Sequence, residues 1–263
     1  SEPLAFRRTS PMAVFAEARG RKPLGERTVI QVNHPRMGDI GYLDVIRFDR
    51  DDLSGFTKRT PWAPLAFDAM EVFNGDDANS PSVVKHVMKD WYALLQAGLR
   101  VTATGNSDAH KLTFHEPGLP RTYVRVPNDD PAAFDEGAFL DALRAGKVTL
   151  SSGPFLRIVA GGKEIGDTIA PGRHTVEAIA AAPSWVDIDY VEIVRNGKVV
   201  SRAEGPFAGE GKGATHAADV ELEPGDWVLA IAGGSSEMKP LYRRGIPPFA
   251  FTNPIFVGPR AAE

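Results

Sequence analysis

The chain has no cysteine. That excludes disulfide bridges, a thiol nucleophile and thiolate-bound zinc, and any metal must be held by His, Asp and Glu. There is also no cluster of lysine and arginine, and no alternation of basic with aromatic residues that would follow a phosphate backbone. With 30 basic residues against 34 acidic ones and a net charge of −4, nucleic acid is not an expected partner. No apolar run approaches the roughly 18 residues of a membrane span, and the opening SEPLAFRRTS lacks the apolar centre of a signal peptide.

What is present divides in two. At 263 residues the chain exceeds one typical domain, so two are expected, each with its own core. In the first, residues 1–153, three strands end in polar residues. The segment 29–32 runs into Asn33, His34 and Pro35, the segment 69–73 into Asn74-Gly75, and VTATGNSDAH, from Val101, into Asp108 and His110. Their apolar residues do not alternate with polar ones, which points to parallel strands covered on both faces. Between the second and third, Val84, Val87, Met88, Trp91, Leu94 and Leu95 recur at helical spacing, with Pro81 near the start and Gly98 past the end. This reads as a βαβ unit. A further helix carries Phe139, Leu140 and Leu143 and stops at Gly146.

The second part, residues 154–263, reads as all β: short strands separated by turn signals, with the boundary near Pro154. Asn196-Gly197, between VEIVR and KVVSR, is a hairpin signal, because a type I′ turn needs positive φ at both central residues. Strands at roughly ten-residue spacing suggest an immunoglobulin-like β-sandwich without the Cys-Trp-Cys core of antibody domains.

Polar residues at the carboxyl ends of adjacent parallel strands can meet in one pocket. Residues i and i+2 of an extended segment face the same way, so Asp108 and His110 can point into it together; a strand running into an ordinary capped turn is the alternative. His34 and Glu71 lie at or near the ends of two other strands. A set of oxygen and nitrogen ligands from three strand ends suits Zn²⁺, Mn²⁺ or Fe²⁺. Glu71, between Met70 and Val72, is alternatively the partner of a buried arginine, since a buried carboxylate is costly without a cation. His115 falls where a loop could lie over the pocket. Arg36 and Arg121 are candidates for binding an anionic substrate, with structural ion pairing as the competing role. His86, His174 and His216 read as surface residues.

The stretches VIQVNHPR, AMEVFNG, GNSDAH and GLPRTYVRV, in this order and spacing, resemble the second half of a PHP-superfamily domain (polymerase and histidinol phosphatase), of the carbaryl-hydrolase-like group. FLDALRAGKVTLSSGPFLRI followed by a β module is similar to the same group. The resemblance covers about residues 25 to 160. It implies a metal-dependent hydrolase of phosphoesters or other esters, with two or three divalent ions at the mouth of a distorted β/α barrel. It further implies His34 as a ligand, Glu71 as a bridging carboxylate, Asp108 and His110 as the closing ligand pair, and His110 or His115 as a proton carrier. The expected architecture is α/β: the C-terminal half of such a barrel, joined to the sandwich.

The family's opening His-x-His segment has no counterpart, since no two of the six histidines are separated by one residue. An N-terminally truncated domain is therefore expected, completed by a missing segment or by a second chain. Metal binding and turnover by this chain alone are expected to be weak or absent. The substrate would be a small anionic or other ester. The alternative is a non-catalytic docking protein that uses exposed aromatics of the β module, such as Trp185 or Trp227. The appended module is by association a feature of exported, periplasmic proteins more than of cytoplasmic ones.

Overall fold

The computed structural model describes residues 9–21, 25–61, 65–78, 80–111, 113, 115–205, 207, 213–239, 242 and 245–259. The segment 1–8, most of the opening read for a signal peptide, lies outside them. Along the chain come helix α1 (Pro11–Gly20), strand β1 (Gln31–Val32), helices α2 (Tyr42–Val45) and α3 (Leu53–Arg59), strand β2 (Ala69–Asn74), helix α4 (Pro81–Gln96), strands β3 (Thr102–Asn106) and β4 (Arg121–Val124), and helix α5 (Glu136–Arg144). Strands follow: β5 (Val148–Ser151), β6 (Phe155–Ala160), β7 (Thr168–Ile169), β8 (Gly172–Ala181), β9 (Tyr190–Arg195), β10 (Lys198–Glu204), β11 (Gly213–Leu222), β12 (Trp227–Gly233), β13 (Phe249–Thr252) and β14 (Ile255–Val257). Among the described residues no helix is long and apolar enough to cross a membrane.

Local chemistry sets the element ends. Pro11 occupies the first turn of α1 behind the Ser10 cap, whose hydroxyl accepts from Ala13 N–H, so a donor with no helical partner is either absent or satisfied. Asp135 caps α5 in the same way through Ala138 N–H. Gly98 and Gly146, just past α4 and α5, sit at φ 80° and 73°, the left-handed step that ends a helix. Asn196 and Gly197 have φ 50° and 77°, and β9 and β10 pair antiparallel around them, as the Asn-Gly signal requires.

β1, β2 and β3 pair in parallel, with α4 as the crossover between β2 and β3. A second sheet of eight strands runs in the order β10-β9-β12-β13-β5-β4, with β14 beside β12 and β7 beside β14. A third, of three antiparallel strands, runs β11-β8-β6 and alternates buried with exposed residues, so only one of its faces is covered. The centre of the eight-stranded sheet, β12, β13 and β5, is covered on both. Trp91 of α4 lies 5.9 Å from the Phe251 ring and Tyr92 lies 5.1 Å from the Trp227 ring, while Thr149 on the other face donates to the Leu156 carbonyl of β6. That double burial is why β12 reads WVLAIAG and β13 FAFT, apolar without alternation.

This arrangement overturns the expected half of a β/α barrel joined to a separate immunoglobulin-like sandwich. The chain is mostly β-sheet, and no barrel is closed among the described residues. β4 and β5, which the resemblance assigned to the barrel, run antiparallel to each other, and β5 pairs antiparallel with β13 from the far end of the chain. The eight-stranded sheet thus draws strands from both sides of Pro154, and buried residues from both sides form one core. The reason is hydrogen bonding. β4 and β5 need partners for their backbone groups, and a strand delivered about a hundred residues later supplies one.

The outer edge of β3 is closed by side chains instead of a strand. The fully buried Asn253 accepts from Ala103 N–H at 2.8 Å and donates to the Ala103 carbonyl at 3.0 Å and the Val148 carbonyl at 3.1 Å. Two residues further on, the Thr122 hydroxyl accepts from Gly105 N–H at 2.9 Å and donates to the Gly105 carbonyl at 2.7 Å. An amide and a hydroxyl therefore imitate the missing strand and fasten the parallel sheet to β4 and β5. Replacing Asn253 with Leu keeps the volume and strands these buried groups, so we expect a loss of about 2–4 kcal/mol in urea unfolding, with Thr122→Val losing about 1–2 kcal/mol. A loss below about 1 kcal/mol for Asn253→Leu would show that the junction does not depend on this amide.

Candidate metal centre

The carboxyl ends of β1, β2 and β3 bring together His34, Glu71, Asp108 and His110. Glu71 is buried in β2, at a register shift in its pairing with β3, a bulge of the kind that re-aims a side chain. Its Oε2 accepts from the His34 backbone N–H at 2.5 Å and from Asn74 Nδ2 at 3.1 Å, and its Oε1 accepts from Asn106 Nδ2 at 2.9 Å. The same Asn74 nitrogen reaches Asp108 Oδ2 at 3.4 Å, and His110 Nε2 lies 4.0 Å from that oxygen. Among the described residues no arginine or lysine pairs with Glu71, so the buried-arginine reading of this residue does not hold. Neutral amide donors fix the carboxylate in place and leave its charge uncompensated.

Two backbone positions here are strained. His34 has φ 32° and Asp108 φ 47°, a left-handed region costly for residues with side chains. His34 Nδ1 is buried with no hydrogen-bond partner. These residue types suit a divalent ion of the zinc, manganese or iron type, but the ligand atoms of His34, Glu71 and Asp108 do not gather within 4.8 Å of one another as those of Asp76, His110 and His115 do.

A second group adjoins the first. Asp76, His110 and His115 each offer a ligand atom, all within 4.8 Å of one another. His115, its side chain 4% exposed, has Nε2 3.2 Å from Asp76 Oδ1, and its Nδ1 accepts from His110 N–H at 3.0 Å. That backbone donor fixes the tautomer: the ring proton sits on Nε2 and points at Asp76. Ligation through Nε2 would require the proton to move to Nδ1 and the His110 bond to break. His115 and Asp76 are therefore a hydrogen-bonded acid–imidazole pair, with the His110 ring edge-on at 4.5 Å.

No protein-family model and no curated protein sequence matches this chain. A solved engineered protein is 17% identical to it over 83% of this chain and 45% of that chain, with a TM-score of 0.24. The chain thus spans less than half of that protein, and a likeness this slight carries no argument about fold or activity.

The two arginines read as substrate-binding lie elsewhere. The Arg36 guanidinium meets the buried Asp90 through Nε and Nη2, both at 2.9 Å, and it also binds Asp44 and the Phe48 carbonyl. It is a structural ion pair, the competing role. Arg121 pairs in register with Ser151, whereas its neighbour Thr122 pairs with Leu150. Successive residues of a strand face opposite ways, so with Thr122 turned to β3, Arg121 is turned away from the cluster. Asn74, Asn106, Asp76 and Asp77 were missed as site residues. Asn74 and Asn106 lie in the quoted strand ends, where a search for amide donors beside Glu71 would have found them, and Asp76 and Asp77 follow Gly75 directly.

The cluster is electrostatically crowded. Burial first, then the Asp76 and Glu71 carboxylates, push Asp77 above the usual carboxyl range. A carboxyl with a raised folded-state pKa holds its proton more tightly folded than unfolded, so its ionisation costs stability as pH climbs from the unfolded value near ~3.9 through the folded one. Asp77→Asn is accordingly expected to melt higher than the parent at pH 7 and to lose that advantage near pH ~3. An advantage that persists unchanged at the low pH would mean that charge crowding is not its source.

Proposed function

We propose that the chain takes a divalent metal ion at the ends of β1, β2 and β3 and takes part in metal-dependent hydrolysis of phosphoesters or other esters. The observation that carries this reading is a buried carboxylate, Glu71, held by three neutral N–H donors beside Asp108 and the unpartnered His34 Nδ1, with no cation paired to it among the described residues. A carboxylate in that setting is costly unless a positive charge joins it. A bound ion would supply water of lowered pKa and charge stabilisation for a developing oxyanion.

The chain's own residues then have separable parts. Glu71, Asp108 and His34 would hold the ion after their side chains close from the wider spacing of this structure, and Asn74 and Asn106 would aim the Glu71 oxygens, as outer hydrogen bonds do around metal ligands. His110, more than half exposed and beside Asp108, is open to a ligand or a substrate. His115, with its Nδ1 taken by the His110 N–H and its only proton held by Asp76, is a positioning group, and the proton-carrier role falls to the exposed His110. The resemblance to PHP-type hydrolases supports this reading, as does the position of the cluster at strand ends.

The docking alternative loses one of its two anchors. Trp227 is 1% exposed and packs on Tyr92, while Trp185 is 52% exposed.

Titration with Zn²⁺ and Mn²⁺, followed by melting temperature, tests the metal reading. At a hundredfold excess over Kd a single site adds about 2.7 kcal/mol, a rise of very roughly 5–10 °C at this chain length. Glu71→Gln is expected to remove the rise, and weak hydrolysis of p-nitrophenyl phosphate or p-nitrophenyl acetate, as expected of this chain alone, to appear with metal and vanish with EDTA. Absence of both the rise and any metal-dependent turnover in the parent chain would overturn the proposal.

A further inference from the structure

Arg121 lies on the opposite side of β4 from the acidic cluster, in a pocket of about 420 Å³ walled by Tyr123, Phe155, Trp185 and Tyr242. Its guanidinium is part-buried and meets no carboxylate among the described residues. Nη1 is 3.5 Å from the Tyr123 hydroxyl, Nη2 is 3.4 Å from the Tyr242 hydroxyl, and Nε is buried without a partner. Other arginines of this acidic chain find carboxylates: Arg36 at 2.9 Å, Arg195 at 2.6 Å and Arg202 at 2.6 Å. A part-buried cation with only two long contacts to phenols is under-solvated and lacks its counter-ion.

We infer that this pocket binds a small aromatic carboxylate. The guanidinium fork matches the two oxygens of a carboxylate. Both tyrosine hydroxyls, as acceptors of the Arg121 N–H groups, keep their own hydrogens for the same anion. The ring of the ligand is received by aromatic surface left in water: Trp185 is 52% exposed and Phe155 is 43% exposed, the latter edge-on to Tyr123 with ring centroids 5.3 Å apart. The volume falls within the range of small-molecule sites. None of the residues lining the pocket belongs to the metal cluster, so the inference stands apart from the hydrolase reading.

Calorimetry with 2-naphthoate and its uncharged analogue 2-naphthamide, on the whole chain in EDTA, tests it. The carboxylate is expected to bind at least about tenfold more tightly than the amide, with quenching of the Trp185 fluorescence. Arg121→Gln is expected to erase that discrimination, with Arg121→Lys intermediate because it keeps the charge and loses the fork. Trp185→Ala should weaken both compounds several-fold and leave the discrimination in place, and Glu71→Gln should change nothing. Equal affinity of the parent chain for the two compounds overturns the proposal whether or not the Arg121 variants fold. Undiminished naphthoate binding by a folded Arg121→Gln protein overturns it as well.

Discussion

Everything in this molecule is organised around the outer edge of β3. A parallel strand buried on both faces cannot leave alternate N–H and carbonyl groups unpaired, yet no strand lies hydrogen-bonded along that edge. Asn253 and Thr122 take the role, each offering one donor and one acceptor to the same residue, Ala103 and Gly105 respectively. Side chains reach further than a backbone ladder and hold their partner at an angle. The small parallel sheet can therefore end at β3 while β4 and β5 turn away into the larger antiparallel one. That junction also holds Asn106, and with it Glu71, in position.

The cost of the acidic cluster is carried by the same framework. Glu71, Asp76 and Asp77 stand close together, with no lysine or arginine paired to Glu71 among the described residues, and His34 and Asp108 adopt left-handed backbone. Such strain persists only where the surroundings over-determine it, and here the fixed register of β2 against β3 and the amides of Asn74 and Asn106 do so. The opposite situation holds across β4. There one cation, Arg121, is left among aromatics with no anion among the described residues. A chain with four more acidic than basic groups, 34 against 30, thus keeps unbalanced charge of both signs in two places instead of cancelling it.

Much of the local structure was legible. Helical spacing of Val84, Val87, Trp91 and Leu94, and the glycines at 98 and 146, marked α4 and α5 because helix periodicity and left-handed caps are properties of short segments. Asn196-Gly197 marked its hairpin for the same reason. The strand ends at His34, Glu71 and Asp108 were legible as neighbours because parallel strands joined by a helix must lie side by side. Which of its two readings each arginine takes was not. An arginine's partner is chosen by whatever carboxylate the fold carries to it: Asp90, 54 residues away, for Arg36, and none among the described residues for Arg121.

The sequence by itself determined α4, α5, the β9–β10 hairpin and the strands whose polar ends can meet, since these depend on spacing and turn chemistry within a few tens of residues. Helices α1 to α3 and strands β4 and β5 were not legible in it. Only the tertiary structure decided how the strands group into sheets. β13 could join β5 instead of a sheet of its own, because hydrogen-bonding edges are chemically alike and the choice among them is made by packing across the whole chain, here by Trp91 and Tyr92 of α4 covering Phe251 and Trp227.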